Sequence, residues 1–194
     1  MQWTLSNQLT ISRVLLIPLF AISFYLPGMW GYILSTFLFS LAALTDWLDG
    51  YLARSRNEET PFGRFLDPVA DKLLVATALV LLVEADRTPA LLAAIIIGRE
   101  IVIGALREWL AQHKTTVHVS MLGKWKTGMQ MAAIITLLLH ERILGVSMNL
   151  AGTVLLWIAS VLTLWSAYEY LRDTWDELFG SKLLKSEGKA KDEL

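Results

Sequence analysis

Apolar stretches follow one another along almost the whole of this sequence, separated only by short polar connections. Such a chain has few options besides a bundle of membrane-crossing helices, because a spanning helix needs about 20 mostly apolar residues. The 194 residues hold roughly six, leaving no room for a separate soluble domain. Composition agrees: 55% of residues are hydrophobic and 18% charged, where soluble domains carry about 45–50% and about 25%. The expected fold is therefore all-α, a six-transmembrane-helix bundle.

Proline, glycine and charge clusters set the boundaries. Residues 1–12 are polar and aromatic and predict a short N-terminal interfacial helix with Trp3 as its anchor. The first span covers about 13–26, and Pro27-Gly28 breaks it. The others cover about 31–54, 61–83, 89–112, 123–139 and 148–171. The membrane domain is thus expected over residues 1–172, and 173–194 as a charged cytoplasmic tail.

Lysine and arginine orient the bundle. With a cytoplasmic N-terminus the outer connections carry only Arg87 and Arg142. The inner segments carry Arg13, Arg54, Arg56, Arg64, Lys72, Arg107, Lys114, Lys124, Lys126, Arg172, Lys182, Lys185, Lys189 and Lys191. The positive-inside rule then places both termini in the cytoplasm. Lys191-Asp192-Glu193-Leu194 spells an ER-retrieval address, but that address acts only on a lumenal terminus; on the cytoplasmic side it reads as a chance ending. No basic n-region or small-residue cleavage site marks a signal peptide, so the first span is expected to be retained.

A net charge of −1 gives no electrostatic pull toward nucleic acid. The absence of cysteine excludes disulfides and thiolate metal sites. His113, His118 and His140 fall in connections without ligand spacing, and the eight tryptophans suit interface belts better than a cofactor.

Four carboxylates break the apolar pattern where the second span ends and the third begins. Asp46 and Asp49 are three residues apart, Asp67 and Asp71 four, so each pair projects from one helical face. A short connection makes the two helices antiparallel neighbours, and the pairs can face one another. Ionisable residues in spans are costly and mark function. Carboxylates packed together repel unless a cation joins them, and an oxygen-only donor set selects Mg²⁺ or Mn²⁺ over zinc. Two divalent cations in such a site can clamp the attacking and leaving oxygens of a phosphoryl displacement. Gly50 and Ala53 leave space for a nucleotide near the backbone, and Arg54 can take phosphate oxygens bidentately.

The run Asp46-Trp-Leu-Asp49-Gly50-Tyr-Leu-Ala53-Arg54, then eight residues, then Gly63-Arg-Phe-Leu-Asp67-Pro-Val-Ala-Asp71 resembles the signature of the CDP-alcohol phosphotransferases, with all eight positions filled at the expected spacing. The resemblance implies a six-helix membrane fold, a homodimer, and a site open to the cytoplasm. It implies that Asp46, Asp49 and Asp67 ligate metal, and that Asp71 shares a metal and acts as the base. Asn7, Gly50, Ala53, Arg54 and Gly63 would contact CDP-diacylglycerol, with Thr10 and Arg13 in support.

Arg99-Glu100, Arg107-Glu108 and Ser120-Met-Leu-Gly123-Lys124-Trp-Lys126-Thr127 are similar to the subgroup that makes phosphatidylglycerophosphate in bacterial inner membranes. This implies transfer of the phosphatidyl group to sn-glycerol 3-phosphate with release of CMP. Arg99, Arg107, Lys124 and Lys126 are then candidates for the acceptor phosphate. Alternatives stay open for each basic residue. Arg99 can pair internally with Glu100, Lys124 and Lys126 can be positive-inside anchors, and Lys72 reads as structural. Inositol phosphate, serine and phosphatidylglycerol are rival acceptors. A divalent-cation transporter using the same carboxylates is a rival of another class, disfavoured by the apolar outer halves of the spans.

Overall fold

The computed structural model describes residues 5–56, 61–112, 121–139, 142–143 and 146–178. Among these the chain is all-α apart from one two-residue hairpin. Its helices are α1 (Leu5–Phe24), α2 (Met29–Arg56), α3 (Pro61–Glu84), α4 (Ala90–Gln112), α5 (Met121–Leu139) and α6 (Met148–Leu178). Strands β1 (Arg142–Ile143) and β2 (Val146–Ser147) pair antiparallel between α5 and α6, with Arg142 opposite Ser147. Each helix lies where an apolar stretch was expected. Trp3, His113, His118, Ser120, His140 and residues 179–194, including the terminal Lys191–Leu194, lie outside the described residues.

Two boundaries differ from the sequence reading. The first is at the N-terminus, where no break separates an interfacial helix from the first span. α1 runs continuously from Leu5, with Thr10 and Arg13 both fully buried. Thr10 and Arg13 turn into the bundle, which composition alone cannot tell from an interfacial face. The second is at the C-terminal end of α6, which continues past Arg172 to Leu178. The buried Thr174 there bonds back to the carbonyl of Tyr170.

α5 is the enclosed helix. Ala133, Ile134, Leu137 and Leu138 are all at 0% exposure, and α6 forms its most extensive partner surface. The core continues through Leu74, Leu79 and Leu82 of α3 and Leu92 and Ile96 of α4. Phe20 and Phe39 close it at the α1–α2 contact, ring centroids 5.7 Å apart. The outer surface is apolar too: α6 alone exposes Leu150, Val154, Trp157, Val161, Leu164, Trp165 and Tyr168 on one stripe. Exposed apolar area of that extent needs a cover other than water. By length and composition, among the described residues, one helix is long and apolar enough to cross a membrane, over Met148–Trp175 at a mean hydropathy of 1.8.

Helix approach depends on glycine at α6. A Cβ placed on Gly152 would stand 2.6 Å from Leu137 Cγ and 3.0 Å from the Leu137 backbone nitrogen, the close contact that small residues permit between membrane helices. Gly152→Val is expected to destabilise by about 1–3 kcal/mol through overpacking. Thermal unfolding in detergent measures this, and Leu137→Ala in the same chain should restore part of the loss.

The turns at the far end from Asp67 and Asp71 are tied down. α3 ends in a Schellman motif: Arg87 N donates to Leu82 O at 2.9 Å, Asp86 N to Val83 O at 3.1 Å. Asp86 takes the left-handed conformation there, φ 56°, which aspartate tolerates better than most residues. Tyr25 in the α1–α2 turn donates to Glu84 Oε2 at 2.5 Å, and that bond raises the phenol above its ordinary pKa.

Candidate active site

Asp67 and Asp71 lie one turn apart near the start of α3, both half-buried. Their spacing follows from the helix itself, and α3 continues through Pro68 in its second turn. Thr10 of α1 donates to Asp67 Oδ1 at 2.5 Å. This bond fixes one carboxylate oxygen and holds α1 against α3, a contact more extensive than that between α2 and α3. Gly63, a turn before Asp67, is buried.

Asp46, Asp49, Gly50, Ala53 and Arg54 all belong to the last three turns of α2, Asn7 to the first turn of α1 and Lys124 to the first turn of α5. Their side chains lie outside the described residues. Among the described residues no three His, Cys, Asp or Glu side chains gather at one point. Asp67 and Asp71 fit a hard divalent cation by donor chemistry, being oxygen-only and half-buried.

A second polar cluster forms where α4, α5 and α6 meet. Arg99 Nη1 reaches Glu100 Oε1 at 3.3 Å and its Nη2 reaches Ser166 Oγ of α6 at 2.9 Å. Lys126 of α5 donates to the same Glu100 oxygen. Arg99 and Lys126 are both deep, with side chains 9% and 5% exposed. Arg107 lies exposed two turns along α4, its guanidinium 5.9 Å from the Tyr170 ring. Two buried cations, Arg99 and Lys126, thus share one carboxylate, and among the described residues Arg99 Nε is buried without an acceptor. A buried surplus of positive charge calls for an anion.

The internal Arg99–Glu100 pair weighed from the sequence is present, and it still leaves the cluster cationic. Lys72 packs between helices. Its ammonium lies against Gly104 of α4, where an added Cβ would stand 2.2 Å from Nζ. Ser166 and Tyr170 escaped the sequence reading. A signal existed: Thr163, Ser166, Tyr170 and Thr174 recur at spacings of three and four along an otherwise apolar helix, and the three hydroxyls at 163, 166 and 174 are buried.

Residues 3–165 match the family model described as CDP-alcohol phosphatidyltransferase. A Pseudomonas fluorescens protein named CDP-diacylglycerol–glycerol-3-phosphate 3-phosphatidyltransferase is 50% identical over 177 residues, 89% of this chain and 90% of that one. Relatives of the same name from Salmonella paratyphi A and Yersinia pestis are 49% identical over 175 residues and 46% over 182. Those alignments cover 88% and 92% of this chain, and 94% and 98% of the relatives.

Proposed function

Since this chain belongs to the CDP-alcohol phosphatidyltransferase family, we propose that it transfers the phosphatidyl group of CDP-diacylglycerol to sn-glycerol 3-phosphate, giving phosphatidylglycerophosphate and CMP. The observation that carries the choice of acceptor is the pair of buried cations, Arg99 and Lys126, sharing the single carboxylate of Glu100, with Arg107 two turns along α4. A phosphomonoester dianion complements that surplus, whereas serine offers no phosphate to it. The relatives' names supply glycerol 3-phosphate rather than inositol phosphate.

In this reading Asp46, Asp49, Asp67 and Asp71 hold two divalent cations, Mg²⁺ or Mn²⁺. When bound, these supply charge neutralisation for the pyrophosphate and for the departing CMP. Thr10 keeps Asp67 in one orientation through its hydroxyl, and Arg54 pairs with the pyrophosphate. Arg99, Lys126 and Arg107 hold the acceptor's phosphate, joined by Lys124. The acceptor's 1-hydroxyl attacks the lipid-side phosphorus, its proton passes to an Asp71 carboxylate oxygen, and the bond from that phosphorus to the CMP oxygen breaks. Positioning and charge stabilisation carry the rate, as in other phosphoryl transfers.

The six helices span the bacterial cytoplasmic membrane, both termini and the site facing the cytoplasm, in a homodimer surrounded by membrane lipid. The apolar outer stripe of α6 supports the embedding, and the distribution of lysine and arginine supports the orientation. Purified protein given CDP-diacylglycerol and a panel of acceptors is expected to release CMP with glycerol 3-phosphate and far more slowly with serine or inositol phosphate. No release with glycerol 3-phosphate refutes the assignment. Metal flux into liposomes without CDP-lipid would support the transporter reading instead.

A further inference from the structure

At the end of the bundle away from Asp67 and Asp71, the α3–α4 turn and the start of α6 border an open cavity of about 420 Å³. This is within the range of roughly 300–1,000 Å³ usual for small-molecule sites. Asp86, Arg87, Thr88 and Asn149 are among its lining residues. Three of them carry a buried polar atom that has no hydrogen-bond partner among the described residues: Arg87 Nη1, Thr88 Oγ1 and Asn149 Oδ1. Buried polar atoms are nearly always satisfied, so three around one cavity call for an explanation. Thr88 is 95% buried, at 5% exposure.

The chemistry of the lining is divided. Arg87 and Thr88 offer N–H and O–H donors, one of them charged. Asp86 and Asn149 Oδ1 offer acceptors, one of them charged. A simple anion would meet repulsion from Asp86, and a simple cation would meet it from Arg87. A zwitterion satisfies both halves. The chain beside the lining residues suggests where that zwitterion comes from. Directly after Ala90, Asn149 and Thr153 in sequence come Leu91, Leu150 and Val154, 64%, 67% and 50% exposed. An apolar approach to a cavity with paired charges fits a molecule with hydrocarbon chains attached.

We propose that this cavity binds the headgroup of a zwitterionic phospholipid carrying a primary ammonium, with its phosphodiester on Arg87 and Thr88 and its ammonium on Asp86 and Asn149. In this proposal the orphaned atoms, which lie below the reach of solvent, turn into the cavity by side-chain rotation when the headgroup binds. The Arg87 guanidinium stands 5.3 and 4.7 Å from the centroids of the Phe24 and Tyr32 rings. The Schellman motif sets Asp86 in the left-handed conformation directly before Arg87 in the chain. This lipid site is separate from catalysis, since no residue of it belongs to the proposed transfer machinery.

The test uses the full chain, purified and delipidated in detergent, with thermal unfolding as the readout. Phosphatidylethanolamine at about 100 times its Kd is expected to raise Tm by about 5 °C or more. Phosphatidylglycerol, an anion without the amine, should raise it less, and inorganic phosphate should not raise it. Thr88→Val, which leaves Arg87 and its neighbouring rings in place, and Arg87→Gln should each remove most of the phosphatidylethanolamine increment. Asp86→Asn, tolerated at the left-handed position, should erase the preference for the amine-bearing lipid. CMP release by Thr88→Val should stay within about twofold of the parent, showing a folded protein. An undiminished increment in both Thr88→Val and Arg87→Gln overturns the proposal. Equal protection by inorganic phosphate, or no discrimination among lipids by the parent chain, overturns it as well.

Discussion

Asp71→Asn is expected to lower CMP release by about 10²–10⁴-fold, the contribution usual for a positioned general base, while the chain still binds CDP-diacylglycerol. The amide keeps the shape of the carboxylate and one oxygen, and loses the capacity to accept a proton. Asp71 is half-buried on α3, one turn beyond Asp67, so the swap should not disturb the core residues Leu74 and Val75 behind it. Binding of CDP-diacylglycerol by calorimetry, together with single-turnover CMP release, separates the two effects. Parent-level turnover in this variant would remove Asp71 from the role of base. Loss of lipid binding in parallel with turnover would instead make it chiefly a binding residue.

The second large effect is expected at Lys126. Its ammonium is buried against Glu100, which also receives Arg99. Hydrogen bonds to charged groups contribute about 1.5–3 kcal/mol, so Lys126→Met should raise the KM for glycerol 3-phosphate by about 10–100-fold. The KM for CDP-diacylglycerol should stay nearly unchanged, because the cluster bridges α4, α5 and α6 rather than the aspartate helices. A fall in Tm with both KM values unchanged would make Lys126 a structural tie between α5 and Glu100. Arg99→Met offers a control of the same sign, since Arg99 meets Glu100 and Ser166 at the same junction.

Much of the fold was legible because the signals were local. Runs of apolar residues punctuated by Pro27-Gly28, by residues 55–60 and by Pro89 mark helix ends through backbone chemistry that needs no tertiary information. The pairing of Asp67 with Asp71 was legible for the same reason, since a four-residue spacing on a helix fixes a common face. What escaped depended on contacts between helices. Nothing in residues 5–13 announces that Thr10 bonds Asp67 across 57 residues of sequence, so their polarity looked like an interfacial surface. Arg99 was legible as a costly residue in search of a partner, but not that Glu100 would be shared with Lys126 or that Ser166 would take its other arm. The cavity beside Arg87 lay wholly beyond sequence pattern, because it arises where a turn and a distant helix start come together.

The unbroken course of α1 has a practical side. Its second turn holds an aspartate of the proposed reaction centre, so α1 from Leu5 works as a lever whose short arm ends at Thr10. A rigid partner fused there transmits torque to Asp67, while a flexible spacer lets α1 keep its seat. Affinity handles for this protein therefore belong behind a loose N-terminal linker or beyond Leu194.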